Sequence, residues 1–599
     1  MDIAGLPCIG GIMRLRATLL CLAGLTIPLL VHAATIRVPA DQPTIQAGIN
    51  VAFPGDTVLV APGTYTGMGN KNLNLMGKAV RLASEQGAGA TIIDCEFQGR
   101  GAYFINDESA STIIDGLTVR NGSVSGDFPE SWGGGVLCLS SSPTISNCVI
   151  MGNSANGFFG RGGGIGLFDS SPILSNCIIT QNHASQGQGG GIHCQASSSP
   201  AVIDCTISMN SATTGGGVNA VLGSSPSLDG LVESNNASFG GGVFVDATST
   251  MSVSECSFTN NVGGGDGGAI YSSGATIALS GGATFNGNSA NLGQGIFVAS
   301  ASNVSLGGLS FIGHLGSGGA VFVGSDSVTI AECTFEGNVR AISCGGFTAP
   351  MITDCFFDGN SEAVYCSNAA PLLMRCVLAS NGYAIRSAGV QGLPRAESCT
   401  MFGNSEAVRI EQGGVTIDKT IIALSQGAAV VCDAGTATLS CTDLYANLGG
   451  DWTGCVAGQQ GSNGNFTANP RFCDPFVGDF TLNALSLCAP GNSPAGCDLI
   501  GALPVACGVT DVADSPPVAD VRLTVSPNPV RGSARFEVGP GVTLRELGIF
   551  DSQGRLVEQL SGADGNWEWT PRSVPAGIYF AMPEGSAVGT EPLKFLYLK

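Results

Sequence analysis

Asn176-Cys177-Ile178-Ile179, then Gly189-Gly190-Gly191-Ile192, then Asp204-Cys205-Thr206-Ile207 follow one another within residues 176–207, and their spacing decides the fold. The Cys element returns upstream at Asn147-Cys148-Val149-Ile150. It returns downstream at Glu255-Cys256-Ser257-Phe258, Glu332-Cys333-Thr334-Phe335, Asp354-Cys355-Phe356-Phe357, Arg375-Cys376-Val377-Leu378 and Ser398-Cys399-Thr400-Met401. Leu231, Ala283, Leu309 and Thr420 hold the cysteine's place where it is missing. The interval of 21 to 29 residues suits one coil of a three-sided solenoid better than a helical repeat.

The glycine element opens a second strand in each unit. After its last Gly or Ala comes Val136, Ile165, Ile192, Val218, Val243, Ile270 and so on to Val430, a β-branched residue in thirteen consecutive units. Such residues suit a pleated strand stacked on copies of itself. Two positions on, Cys138, Leu167, Cys194 and their counterparts are small or apolar, a period of two that sets one face inward. The expected fold is all-β, a right-handed parallel β-helix of about fifteen coils. The polar residue before each Cys is assigned to a sharp corner, its side chain bonding its own backbone.

Composition narrows the function. The 599 residues exceed one compact core, and 90 glycines with 12% charged residues fit many tight turns. A net charge of −21 disfavours nucleic acid as a partner. Residues 1–33 read as an export signal: Arg14 and Arg16, the apolar run Leu19 to Val31, and Val31-His32-Ala33 at the cleavage site. The expected location is extracellular or on the outer cell surface. Without Cys8 and Cys21, 20 of the 22 cysteines remain, free to pair in an oxidising compartment. Within the coils, a reduced stack of buried thiols and cross-coil disulfides both fit the spacing.

Ile36-Arg37-Val38-Pro39, Thr44-Ile45-Gln46-Ala47-Gly48-Ile49, Gly55-Asp56-Thr57-Val58-Leu59-Val60 and Pro62-Gly63-Thr64-Tyr65 resemble the opening of pectin-lyase-like β-helix proteins. That likeness implies a short helix over the solenoid mouth and then the first rung. Gly267-Gly268-Ala269-Ile270 after Phe258-Thr259-Asn260-Asn261, and Phe285-Asn286-Gly287-Asn288, are similar to repeats of chlamydial polymorphic outer-membrane proteins. The β-helix is placed over 34–508. Its closing segment holds Cys455, Cys473, Cys488, Cys497 and Cys507, where cap disulfides are expected. A linker follows over 509–520. In 521–599, Val525-Ser526-Pro527-Asn528-Pro529, Ile549-Phe550-Asp551-Ser552-Gln553-Gly554-Arg555-Leu556-Val557 and Pro575-Ala576-Gly577-Ile578-Tyr579-Phe580 resemble the C-terminal module of type IX secretion cargo. Trp567 and Trp569 are closer to the flagellar hook-capping module. The resemblance implies a small Ig-like β-sandwich that engages secretion machinery.

One outward column can be read between the two inner ones. It contains Phe244, Tyr271, Phe297 and Phe322 on four successive units, then Tyr365, Arg386 and Arg409. Stacked rings offer a flat apolar platform to sugar rings, and arginines offer forks to carboxylates. The Gly or Ala before each inner aliphatic is read as a shallow outer groove, and His193 as a surface residue. The column holds no acid, and the acid clusters of pectate lyases and the paired aspartates of polygalacturonases are missing. No catalytic residue, metal site or cofactor is indicated. The expectation is a non-catalytic β-helix binding a glycan or surface protein. The alternatives are a polysaccharide lyase or hydrolase, with Arg386 or Arg409 as base, and a passive stalk.

Overall fold

The structure is a computed structural model; it describes residues 33–508 except 300, and most of 523–597. The export signal, but for residue 33, and the linker lie outside the described residues. The chain from Thr35 winds as a right-handed parallel β-helix of about 19 turns rather than fifteen. The extra turns carry no repeat signature. Strands such as Thr57–Val60, Arg81–Ser84 and Ile113–Asp115 stack in register at the amino end without the Cys or triple-glycine element.

Two strands of each typical coil join a 31-stranded sheet, and the glycine-opened strand joins a 15-stranded one. A six-stranded ribbon of short strands lines part of the third corner. Within the coil of Asn147, Thr144–Ser146 and Val149–Met151 flank the corner. Asn147 sits there at φ 53°, as do Asn176 (52°), Glu255 (50°), Glu332 (54°) and Arg375 (52°). The corner is real, yet long side chains occupy it too. Asn176 and Arg375 bond the neighbouring coil there, not their own backbone: Asn176 Nδ2 donates to Asn147 Oδ1 at 2.7 Å, and Arg375 grips Asp354.

Inside, like stacks on like. Phe258, Phe285, Phe311, Phe335 and Phe357 form a buried column with ring centroids 4.8 to 4.9 Å apart. The cysteine column is a ladder of free, buried thiols. Cys205 Sγ donates to the carbonyl of Ile203 (3.2 Å) and accepts the Cys177 amide (3.3 Å). Thr420 reproduces both bonds with its hydroxyl, which is why threonine can stand there. In the coil after Cys205 the cysteine's partner is Gly230, so Leu231 lies one position off that column.

Five residues beyond the cysteine position runs a column that the repeat reading overlooked. Asn153, Asn182, Asn210, Asn235, Asn261 and Asn288 are buried, and each Nδ2 donates to the next Oδ1 at 3.0 Å. Each Nδ2 also reaches a carbonyl of the preceding coil, as Asn210 does to Ile179 at 2.8 Å. The ladder satisfies corner amides that would otherwise be buried without partners.

The mouth is closed by the helix Ile45–Val51, with Thr44 Oγ1 accepting the Ala47 amide and Lys78 Nζ donating to the carbonyls of Ile49, Asn50 and Ala52. A Cβ at Gly48 would stand 2.9 Å from Val58 Cγ1, so only glycine lets the helix lie on the first rung. At the other end Val456 packs into the core, and Cys432–Cys455 ties it there. The remaining closing segment folds along the flank. Phe480, Leu482 and Ile500 cover Val377, Phe402 and Ile421 on the outer face of the large sheet. Cys441–Cys497 and Cys473–Cys507 fasten it, while Cys488 stays a free thiol. The carboxy-terminal described residues form separate antiparallel sheets of three and four strands around Phe536, Ile549, Trp567 and Trp569.

Candidate functional site

The outward column of the 15-stranded sheet follows from strand alternation. In Val243–Val245 the two valines are buried and Phe244 between them is half-buried; Ile270–Ser272, Ile296–Val298 and Val321–Val323 repeat the pattern. Parallel register sets Phe244, Tyr271, Phe297 and Phe322 directly above one another. Their rings stack at 5.4, 4.8 and 5.2 Å with planes within 21° of parallel. The result is a strip of stacked rings with one edge on the sheet and the other partly exposed. Phe239 of the short ribbon meets Tyr271 edge-on at 5.5 Å and forms one bank.

Ser343 interrupts the strip; Tyr365, Arg386 and Arg409 follow it in register. This end is a charge network. Arg340 lies 3.7 Å over the Tyr365 ring and pairs with Glu362 at 2.5 Å. Arg386 binds both Glu362 and Glu411, and Arg409 binds Glu406 and Asp433 at 3.0 Å. Burial alone would lower the Arg386 pKa, but hydrogen bonds to Glu411 and Glu362 outweigh it and hold it above the ordinary value. The Arg409 pKa is raised chiefly by its hydrogen bond to Glu406. The forks expected to wait for a ligand carboxylate therefore already hold carboxylates of the chain itself. Arg340, Glu362 and Glu406 stand two positions before the inner aliphatic, where the sequence repeat does not mark them and only the stacking of coils brings them together. Along that column Arg340, Glu362, Tyr383 and Glu406 alternate in register.

Two other expectations are overturned. The small residues before the inner aliphatics do not floor an outer groove. Ala269, Ala320, Ala341 and Ala363 are fully buried in the core, and a Cβ at Gly191 would meet Asn210 Nδ2 at 3.1 Å and Ile207 Cγ2 at 3.2 Å. The strand enters over the asparagine ladder, which leaves no room for a larger side chain. His193, in turn, is completely buried, edge-on to Trp132 at 5.0 Å. Burial, aided by the charge of Arg161, lowers its pKa to about 3.

Residues 71–227 and 160–290 match the family model described as a right-handed beta helix region. No curated protein sequence matches the chain. Among solved structures it is similar to the pectate lyase Pel9A, at 10% identity and TM-score 0.21, over 79% of this chain and 96% of that one. A mannuronic acid specific family 6 polysaccharide lyase from human gut microbiota matches at 10% identity and TM-score 0.28, over 61% and 86%. The catalytic unit of a GH87 α-1,3-glucanase from Streptomyces thermodiastaticus matches at 13% and 0.27, over 70% of each chain. At these values the likeness says nothing of activity. What stands is the fold: this chain is a right-handed parallel β-helix, and its first half contains the right-handed beta helix region.

Proposed function

We propose that the protein is a secreted or cell-surface β-helix that holds glycan along the outer strip Phe244–Tyr271–Phe297–Phe322 without cleaving it. The observation that carries this reading is the register of four partly exposed rings on consecutive coils. Their spacing of about one strand repeat presents a continuous apolar track of ring edges, against which the C–H surfaces of sugar rings pack. The buried phenylalanine column already supplies stacking to the core. The outer rings are thus a second stack that the interior does not need.

The lyase or hydrolase alternative needs an unoccupied acid or base at the strip. Its basic cluster is Arg340, Arg386 and Arg409, each tied to carboxylates, and that pairing makes Arg386 and Arg409 harder to deprotonate, not easier. Export by residues 1–33, repeats of the chlamydial outer-membrane type, and sorting by a type IX or hook-capping module over 521–599 belong to the same reading. Three disulfides that fasten the closing segment support an oxidising location.

A glycan array probed with the mature chain and with a Phe297→Ala/Phe322→Ala variant tests the assignment. Binding that the variant loses, with its melting temperature little changed, supports it. No binding to neutral or acidic glycans removes it and leaves the passive stalk.

A further inference from the structure

A second recess lies on the same face, nearer the amino end, where loops from successive coils overhang the sheet. Phe128 and Trp132 come from one loop, Phe159 and Arg161 from the next, and Phe168 and Gln195 from adjacent strands; together they enclose about 260 Å³. The walls are aromatic and mutually braced: Phe128 stands 5.0 Å from Trp132 and 5.1 Å from Phe168. Even so, Phe128 and Phe159 are about half-exposed, at 49% and 54%. Exposed rings lining a cavity suit a ligand that covers them.

The polar groups give the ligand a sign. Arg161 has no carboxylate partner among the described residues; Nη1 donates only to the carbonyls of Phe158 (3.4 Å) and Gly160 (3.1 Å). That contrasts with Arg340, Arg386 and Arg409 on the same face. Behind the recess His193 is wholly buried, with Nδ1 unpartnered and Nε2 3.2 Å from Gln195 Oε1. It fixes the amide that lines the wall and, being uncharged, leaves Arg161 as the charge there. In a chain of net charge −21, a half-buried guanidinium without a carboxylate partner, set among aromatic rings, offers an anion a positive charge to pair with.

We propose that this recess binds a single ring carrying an anionic substituent, with the ring against Phe128 and Phe159 and the anion on Arg161. It is independent of the aromatic strip. A carboxylate and a sulfate satisfy the same fork, so the test carries both. Ligand-observed NMR titrations of the mature chain would compare methyl glucuronoside, glucose 6-sulfate and methyl glucoside. A charge-assisted hydrogen bond to a partly buried guanidinium predicts at least about ten-fold tighter binding of an anionic probe than of the neutral one. Arg161→Gln should reduce that preference to parity, Arg161→Lys should keep it, and Phe159→Ala should weaken all probes. Binding of only one anion would identify the substituent. Phe297→Ala/Phe322→Ala should leave every value unchanged, which separates this recess from the strip. Were Arg161→Gln to lose its fold, added salt on the native chain serves instead, because it must shrink the preference. Equal binding of charged and neutral probes, no binding of either anion, or a preference that survives both Arg161→Gln and high salt would overturn the proposal.

Discussion

At the scale of the residue, the solenoid depends on side chains that do the same job in every coil. The asparagine ladder shows it best, because each amide bonds both a neighbouring amide and a backbone carbonyl. Asn261 accepts at Oδ1 from Asn235 and donates to Asn288 and to the Val232 carbonyl. Truncation leaves those groups buried and unpaired, which costs about 1–3 kcal/mol for each group. Asn261→Ala should therefore lower unfolding free energy by roughly 2–4 kcal/mol in urea titrations, with the cost spread over adjacent coils. His314 occupies the ladder where asparagine is expected; Nδ1 meets Asn338 Oδ1 at 2.9 Å and Nε2 has no partner. Burial lowers its pKa to about 4 from 6.5. The folded form resists protonation, so stability is full above about pH 6.5 and is lost as pH falls toward 4. His314→Asn should restore the ladder and flatten that acid limb, a gain on the order of 3 kcal/mol at pH 4. Melting curves at pH 7 and pH 4 check this; an unchanged acid limb would contradict it. Asp443 works in the opposite sense. It is buried beside the Cys488 thiol, and burial raises its pKa to about 7. The folded state holds its proton more tightly than the unfolded state, so its contribution falls as pH rises from about 4 to about 7. Asp443→Asn should remove that slope from the unfolding of the closing segment.

At the scale of the element, the two aromatic stacks separate packing from function. Phe311 is fully buried between Phe285 and Phe335, so Phe311→Ala should cost about 3–5 kcal/mol. Phe297 has one side open, and Phe297→Ala should cost no more than about 1.5 kcal/mol, mainly from lost ring pairing. Matched chemical denaturation of the two variants decides it; comparable losses would mean the outer rings are structural. The sequence disclosed the inner aliphatic column and the outer aromatic column because strand alternation is a period of two, the aliphatics recur in every such unit and the rings recur on four successive coils. It disguised the asparagine ladder, since a buried polar residue looks like an ordinary turn residue unless its partner one coil away is known. It also misled about the glycine and alanine column, whose smallness answers a crowded corner inside. The pairing of Arg386 with carboxylates stayed hidden for a related reason. Glu362 and Glu411 lie in neighbouring coils and flank Arg386 only once those coils are stacked.

At the scale of the whole molecule, redox state distinguishes the body from its end. Among the described residues fourteen cysteines are free and buried, whereas three disulfides fasten the closing segment, two of them to the last coils. Burial raises the pKa of Cys95, Cys256 and Cys344 to about 12, which keeps them protonated and unreactive. A thiol-titrating reagent should find almost no reactive thiol on the folded mature chain and close to fourteen in denaturant. Reduction should loosen the closing segment before the coils, because each coil is held by its neighbours. The central claim is that the aromatic strip holds glycan and leaves it intact. The most direct measurement immobilises the mature chain and its Phe297→Ala/Phe322→Ala variant, loads an array-selected oligosaccharide, and analyses what is retained and released by mass spectrometry. The account predicts retention by the native chain alone and recovery of the oligosaccharide at full length. Shortened or unsaturated fragments, or equal retention by the variant, would contradict it.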